Sequence, residues 1–483
     1  MTIAIILAVQ VGQGEFKTVY ITTVLLFSIP IMLLMGLRSW YTLPFAMLAE
    51  LPALPLFGGR ALSLSEMSVS MFSGLMVLAV IQGRSKFQVK WRDWWPMLIY
   101  GGWVILIAVI NGGGFALLGS AVMGGRRYLT VIIALVGMAM LSQITIREKE
   151  AKKVCFLISA SLALTGVYLA VTSLIGRQGV QSAYAFYSWQ QSLSLISLGS
   201  IMLMFARYSP MRIAQKPLYI ILFVVMMLIC IYSGKRMAFA ACCLIPVAAC
   251  FWHRQVIFAI AAVLMGILVI SGAVMTQNYV TSIPQSLQRV LSFIPADWDW
   301  EVDQSTSDIF RGTLNRWAMK RVNEDPLIGL GVTMTMEDHN LMRDDEFIRQ
   351  IKDPDDDVQA FPHIAGQNWH STWLGLSASF GIPAAIAWII VQLFVLRRSW
   401  TIGHTHDLQV WSSTLMAMIF FFMVYGVMRS ISSGDVAILA MGGGLYLGLM
   451  SAVRNGLKDQ RWELQQEQLR LDLEQGNSET ARA

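Results

Sequence analysis

The chain has 483 residues, of which 55% are hydrophobic and only 14% charged, with a formal net charge of +6 and a mean hydropathy of +0.57. A soluble chain would carry about a quarter charged residues, and the apolar residues here gather in blocks near the roughly 17–25 needed to cross a bilayer. Composition therefore excludes a soluble globular domain and points to a polytopic membrane protein, with no nucleic acid expected as a partner.

In chain order, the opening MTIAIILAVQ is an apolar run followed by Gly14, Glu15 and Lys17. It has no basic leader and no small-residue cleavage site, so it is not read as a removable signal peptide. Apolar blocks between charged or turn-rich breaks then predict about twelve spans. They cover residues 19–37, 67–82, 95–110, 128–144, 154–175, 188–205, 217–232, 237–252, 256–275, 372–396, 408–428 and 436–453. Residues 43–58 carry Pro44, Pro52 and Pro55 and read either as a re-entrant or interfacial segment or as a further span. The expected fold is all-α: a polytopic integral membrane protein of about twelve transmembrane helices with one large periplasmic loop containing short helices. Its parts are a membrane bundle at 1–275, with about nine spans, a loop domain at 276–369, about three further spans at 370–453 and a charged cytoplasmic tail at 454–483. The five cysteines all fall inside apolar blocks and read as small lipid- or core-facing residues, not as a disulfide or metal framework.

Orientation follows the cations. Arg84, Lys86, Lys90 and Arg92 share a loop, as do Arg147, Lys149, Lys152 and Lys153; Arg207, Arg212 and Lys216 follow, then Arg254, Arg397 with Arg398, and Arg454, Lys458 and Arg461. About twelve spans put all of these on one face, which the positive-inside bias makes cytoplasmic, with both termini inside. Arg126, Arg127, Arg177, Lys235, Arg236, Arg429 and the cations of the 276–369 loop then lie outside, against that bias. A polyanionic ligand at the outer face accounts for the set; any single one is better served by snorkelling to headgroups.

The 276–369 loop holds sixteen Asp/Glu and eight Lys/Arg. A loop this long between spans is usually functional. Its section 311-RGTLNRWAMKRVNEDPLIGLG-331 predicts a helix carrying Leu314, Trp317, Ala318 and Arg321 and ended by Asp325-Pro326. Gly329 and Gly331 then allow a tight turn back to the membrane. The acidic run Asp353-Pro354-Asp355-Asp356-Asp357 lacks calcium-loop spacing and reads as a solvated turn, so no metal is assigned. After the loop comes 366-GQNWHSTWLGLSASFGIPAAI-386. A helix starting near His370 would set His370, Trp373, Leu374 and Ser377 on one face. An imidazole at the outer mouth can accept a proton near neutral pH. Trp369 and Trp373 suit an interfacial belt or stacking on a sugar. Taken alone, such a histidine is more often an interfacial polar residue than a catalyst.

Three segments together resemble the O-antigen ligase/polymerase family. His370-Ser371-Thr372-Trp373-Leu374, with Gly381-Ile382 eleven residues after the histidine, is similar to the family's histidine signature. The stretch 326-PLIGLG-331 resembles its Pro-x-x-Gly-x-Gly element, with Trp317 as the tryptophan before it. The stretch 233-SGKRMAFA-240 resembles its Ser-x-Ser-Arg segment at an outer helix end. There are departures. Ser371 stands where the family has asparagine, although Asn368 is nearby; Lys235 replaces a serine; and both Arg311 and Arg316 are offset from the family arginine. His363 is a rival to His370 but lacks the spacing to Gly381.

The resemblance implies a lipid-linked glycosyltransferase of the bacterial inner membrane, active at its periplasmic face and using undecaprenyl-pyrophosphate-linked saccharide as donor, with no cofactor. His370 would be the catalytic base. Arg236, Arg311, Arg316, Arg177 and Lys235 would hold the pyrophosphate, and Trp369, Trp373, Ser371, Asn368 and Trp317 the sugar. Partners would be the lipid-linked oligosaccharide, membrane lipids, and a chain-length regulator and flippase of the same pathway. Polymerisation of O-antigen or exopolysaccharide repeat units is expected first, ligation of glycan to lipid A-core second, and non-enzymatic transport of polysaccharide or lipid-linked sugar third. The tail after Arg454 alternates charges with Leu464, Leu469, Leu471 and Leu473 and reads as an amphipathic cytoplasmic helix or a solvated tail.

Overall fold

Apolar blocks in lipid can satisfy their backbone polar groups internally only as helices or closed barrels, and helices dominate here. The computed structural model describes residues 34–48, 54–56, 60–62, 64–111, 125–175, 182–276, 285–291, 305–329, 331, 371–404, 408–432 and 436–480. A short 3₁₀ turn at Gly36–Tyr41 leads into α1 (Thr42–Ala46) and an antiparallel hairpin of β1 (Leu54–Leu56) with β2 (Arg60–Leu62). The 43–58 region is thus a helical turn and a strand among the described residues, not one spanning helix. Leu43 and Ala46 are buried, and the Ser161 hydroxyl donates to the Phe45 carbonyl at 2.9 Å. This hairpin is the one departure from the all-α expectation among the described residues.

The long helices follow in order: α2 (Leu64–Ile81), α3 (Trp91–Ile110), α4 (Gly125–Leu141), α5 (Glu148–Ile175), α6 (Ser182–Arg207), the short α7 (Pro210–Ala214), α8 (Pro217–Tyr232), α9 (Arg236–Trp252) and α10 (Val256–Thr276). Two helices of the 276–369 stretch, α11 (Gln285–Leu291) and α12 (Ser305–Glu324), precede α13 (Thr372–Phe380), α14 (Ile382–Gly403), α15 (Val410–Ser432) and α16 (Val436–Thr480). Four helices among the described residues are long and apolar enough to cross a membrane, at Leu64–Ile81, Trp91–Ile110, Ile382–Gly403 and Val410–Ser430. Shorter apolar helices accompany them, among them Tyr128–Leu141, Pro217–Tyr232 and Arg236–Trp252. The chain is a helical multi-pass membrane protein. The first expected span, 19–37, lies outside the described residues except for its last four.

Two expectations change. The span expected at 372–396 is two helices, α13 and α14, broken at Gly381, whose φ is 79°. The tail is not a separate element: α16 continues from the last span through Thr480. Exposed Trp462, Leu464, Leu469 and Leu471 lie on that extension.

α15 is the hub of the bundle, packing against α5, α6, α9, α13, α14 and α16. α4 and α16 approach closely because Gly444 and Gly448 face the Ala134 carbonyl and the Met138–Leu141 turn, where any β-carbon would collide. This is the small-residue spacing that lets membrane helices touch through their backbones.

Loops that the charge pattern assigned to one face do meet at one end of the bundle. Asp93 is bracketed by Arg398 at 3.1 Å and Arg454 at 3.0 Å. Lys90 donates to Asn455 Oδ1 at 2.8 Å and to the Ser142 carbonyl. The Glu148 carboxylate accepts the Trp411 and Ser412 backbone N–H groups at 2.7 and 3.1 Å, capping α15. His404 lies with Nε2 2.9 Å from the Trp252 carbonyl, joining the ends of α9 and α14.

Candidate functional site

The opposite end of the bundle carries the motifs. α12 runs to Glu324 and stops at Asp325-Pro326, since proline disfavours a helical residue before it. Its buried stripe is Leu314, Ala318 and Val322, packed on Ala378 with Leu374 of α13 alongside. Trp317 is not on that stripe. It is about one-third exposed (36%), with the Lys320 ammonium 5.0 Å from its ring centre. Arg316 is exposed on the same outer side, near Lys320. Arg311 is on α12, but its side chain lies outside the described residues.

Past the helix, the chain folds onto the α13–α14 break. The Ile328 amide donates to Asp325 Oδ1 at 3.1 Å, turning the strand of backbone that follows. The Ile382 amide then donates to the Pro326 carbonyl at 2.8 Å, and the Gly331 amide to the Ser379 carbonyl at 2.8 Å. Gly329 and Gly331 have φ of 67° and 72°, a region that side chains rarely adopt. A β-carbon on Gly329 would meet the backbone of residues 379–381, and one on Gly381 would overlap the Leu327 carbonyl. Two motifs linked in the sequence only by order therefore form one backbone knot. Trp103 of α3 locks it from below, its indole N–H donating to the Phe380 carbonyl at 2.8 Å, and the Tyr128 ring meets Phe380 edge-on at 5.8 Å.

α13 starts two residues after His370. Ser371 is its N-cap, with the hydroxyl oxygen accepting the Leu374 amide at 3.5 Å. Serine and asparagine cap helices about equally well, which explains how serine can stand where the resembled signature has asparagine. The helix begins at Thr372, where the expected span begins; the face expected to include His370 reaches outside the described residues. Trp373 is half-buried and turns its indole nitrogen inward, 3.4 Å from Gln392 Oε1; Gln392 Nε2 donates to the Ser430 hydroxyl at 2.9 Å. The sugar platform expected at Trp373 thus has its nitrogen committed to the bundle. Its side chain packs partly buried against the core.

Lys235 and Arg236 open α9 in a tight turn after α8. Gly234 takes φ of 64° there, the Ser233 hydroxyl donates to the Cys230 carbonyl at 2.6 Å, and both cations are half-buried. α11 packs across the α8 and α9 ends with Gln288, Val290 and Leu291 buried. α15 touches both α9 and α13. The structure thus joins the helix of Arg311, Arg316 and Trp317 directly to that of Ser371 and Trp373. His370, Trp369, Asn368, Arg177, the rival His363 and the Asp353–Asp357 run lie outside the described residues. Gln392, Ser430 and Trp103 were not among the expected site residues. The signal for Gln392 was available: one glutamine within 387-AWIIVQLFVL-396, a polar group that an apolar span keeps only with partners.

Residues 221–389, about a third of the chain, match a family model described as O-Antigen ligase. The matched stretch contains the Lys235–Arg236 turn, the 326–331 clamp and α13. No curated protein matches the chain.

Proposed function

We propose, taking residues 221–389 as an O-antigen ligase family segment, that this chain is an inner-membrane glycosyltransferase moving an oligosaccharide from undecaprenyl pyrophosphate to a sugar hydroxyl at the periplasmic face. Activity of the ligase/polymerase type follows from the family. The donor, the sidedness, the twelve spans and the cytoplasmic termini are proposed with it.

The observation that carries it is the knot at residues 326–331 and 379–382. It ties a helix carrying Arg311, Arg316 and Trp317 to a helix that begins just after His370. A donor that already bears a good leaving group needs a base, a clamp for the departing diphosphate and correct positioning. In this reaction the acceptor hydroxyl attacks the anomeric carbon and His370 takes its proton. The bond from that carbon to the diphosphate oxygen breaks, and the diphosphate leaves with the electron pair. Arg236, Arg311, Arg316, Arg177 and Lys235 supply positive charge to it, the arginines through a two-pronged donor geometry. Trp317, Trp369, Trp373, Ser371 and Asn368 border the saccharide. No cofactor is invoked.

Removing a general base costs on the order of 10²–10⁴ in rate. His370→Ala, purified and still inserted, should therefore lose nearly all transfer from a defined undecaprenyl-pyrophosphoryl oligosaccharide; near-normal turnover would take His370 out of the reaction. Polymerisation of repeat units is the first reading. Ligation to lipid A-core is the second, and the description of the matched family favours it. A deletion strain separates them: single repeat units capping the lipid core mean polymerase, and lipid-linked polymer accumulating untransferred means ligase.

A further inference from the structure

The helices α3, α14 and α16 pack on one another, and their junction at the end away from the glycine knot holds more cations than its carboxylates balance. α3 and α14 run antiparallel, so that Asp93 meets Arg398 at 3.1 Å and, one turn deeper, the Trp95 ring meets Phe394 edge-on at 5.7 Å. Arg454 of α16 closes on the same carboxylate at 3.0 Å, and the Ser451 hydroxyl donates to it at 3.3 Å. The charges of Arg92 and Arg454 act on Arg398, and those of Lys458, Arg454, Asp93 and Asp459 act on Lys90. Within this group five cations face two carboxylates.

The carboxylate is the deep partner. The Asp93 side chain is 11% exposed, against 22% for Arg398 and 29% for Arg454, while Arg92 and Arg397 are exposed outright. The surface that the junction presents is therefore cationic, although a sealed carboxylate holds it together. Solvated loop cations are ordinary at one face of a membrane protein. Two partly buried arginines sharing one carboxylate are not, because desolvated charge is costly unless it is paired.

An apolar strip runs from these cations along the seam. Trp95, Ile99 and Leu393 are exposed on it, with Phe394 half-buried beside Trp95. Leu393 lies one helical turn from Arg397, and Phe394 one turn from Arg398. Exposed Trp91 stands one turn above Trp95, where aromatic rings sit at headgroup level. Positive charge above an apolar strip matches a lipid that carries a phosphate, and basic pockets between membrane helices bind such headgroups.

We propose that the α3–α14–α16 junction binds the phosphodiester headgroup of an anionic phospholipid, with the acyl chains laid along the Trp95–Phe394 strip.

The test offers the purified full chain equal amounts of phosphatidylglycerol and phosphatidylcholine and counts retained lipid by native mass spectrometry. Wild type should retain the anionic lipid preferentially. Arg92→Gln and Arg397→Gln, neither residue in an ion pair among the described residues, should each cut that preference about fivefold, the worth of one cation near an anionic membrane surface. Arg212→Gln, exposed on α7, which packs on α8 and α9, should leave it unchanged. Equal retention of the two lipids by wild type overturns the site, as does the absence of any loss in both Arg92→Gln and Arg397→Gln. An equal loss in all three variants also overturns it, because that marks diffuse surface charge. Inorganic phosphate in tenfold excess should leave the lipid in place; displacement would mean an anion site that ignores the acyl chains, and would overturn the proposal.

Discussion

At Gly381 the backbone takes φ 79° and ψ 163°, a region essentially reserved for glycine and costing about 1–3 kcal/mol for other residues. A β-carbon there would also strike the Leu327 carbonyl. Gly381→Ala should therefore lower the melting temperature in detergent and weaken transfer, because it forces the 326–331 clamp off α13; a variant that melts with wild type would show that the clamp is not held this way. Lys90 allows a second prediction. Burial pulls its ammonium from the ordinary 10.5 down to about 8, with Asp93 opposing and Lys458 and Arg454 adding to the shift. Between those two values the unfolded chain binds the extra proton, so stability rises with pH across that window. Relative to Lys90→Met, wild type should gain thermal stability from about pH 8 to about pH 10; a constant difference would place the lysine in its ordinary range.

Among the elements, α15 depends on a cap from another helix. The Glu148 carboxylate accepts two of its first backbone amides and lies 3.3 Å from the Ser412 hydroxyl. Caps of this kind are worth about 0.5–2 kcal/mol. Glu148→Ala should destabilise the protein by about that much without changing affinity for the donor lipid; a specific loss of donor binding would mean that this end of α15 communicates with the far one. The α13–α14 pair shows where period-based reading falls short. Residues 372–396 form one uninterrupted apolar block, yet Gly381 splits it so that the 326–331 backbone can hydrogen-bond to both sides of the break. Apolar length alone carries no mark of such a break. The glycine at the right distance from His370 was the visible trace of it.

The molecule as a whole has two chemically different ends. One gathers Lys90, Asp93, Glu148, Arg398 and Arg454 into ion pairs, a cap and hydrogen bonds; the other holds the glycine knot, α12 and the cations of α9 and α15. Opposite exposure across the membrane is the expected consequence. A membrane-impermeant thiol reagent should label Asn315→Cys, exposed on α12, in spheroplasts, and Gln466→Cys, exposed on the α16 extension, only after the cells are opened. Labelling of both from the same side would defeat the proposed sidedness.

Sequence alone determined the helical membrane class and most helix positions from residue 64 onward, because hydropathy and charge placement are properties of short windows that the bilayer reads locally. It also marked the common face of the cation-rich loops, since insertion bias acts on each loop separately. Tertiary structure alone decided that 326–331 and 379–382 share one backbone knot, that Trp317 stands off the buried stripe of α12, and that Trp373, Gln392 and Ser430 form a relay. The knot depends on backbone hydrogen bonds between segments about fifty residues apart, the relay on side-chain hydrogen bonds between residues 19 and 38 apart, and the placing of Trp317 on which face a helix turns to its neighbour. None of these is written in the pattern of any single segment.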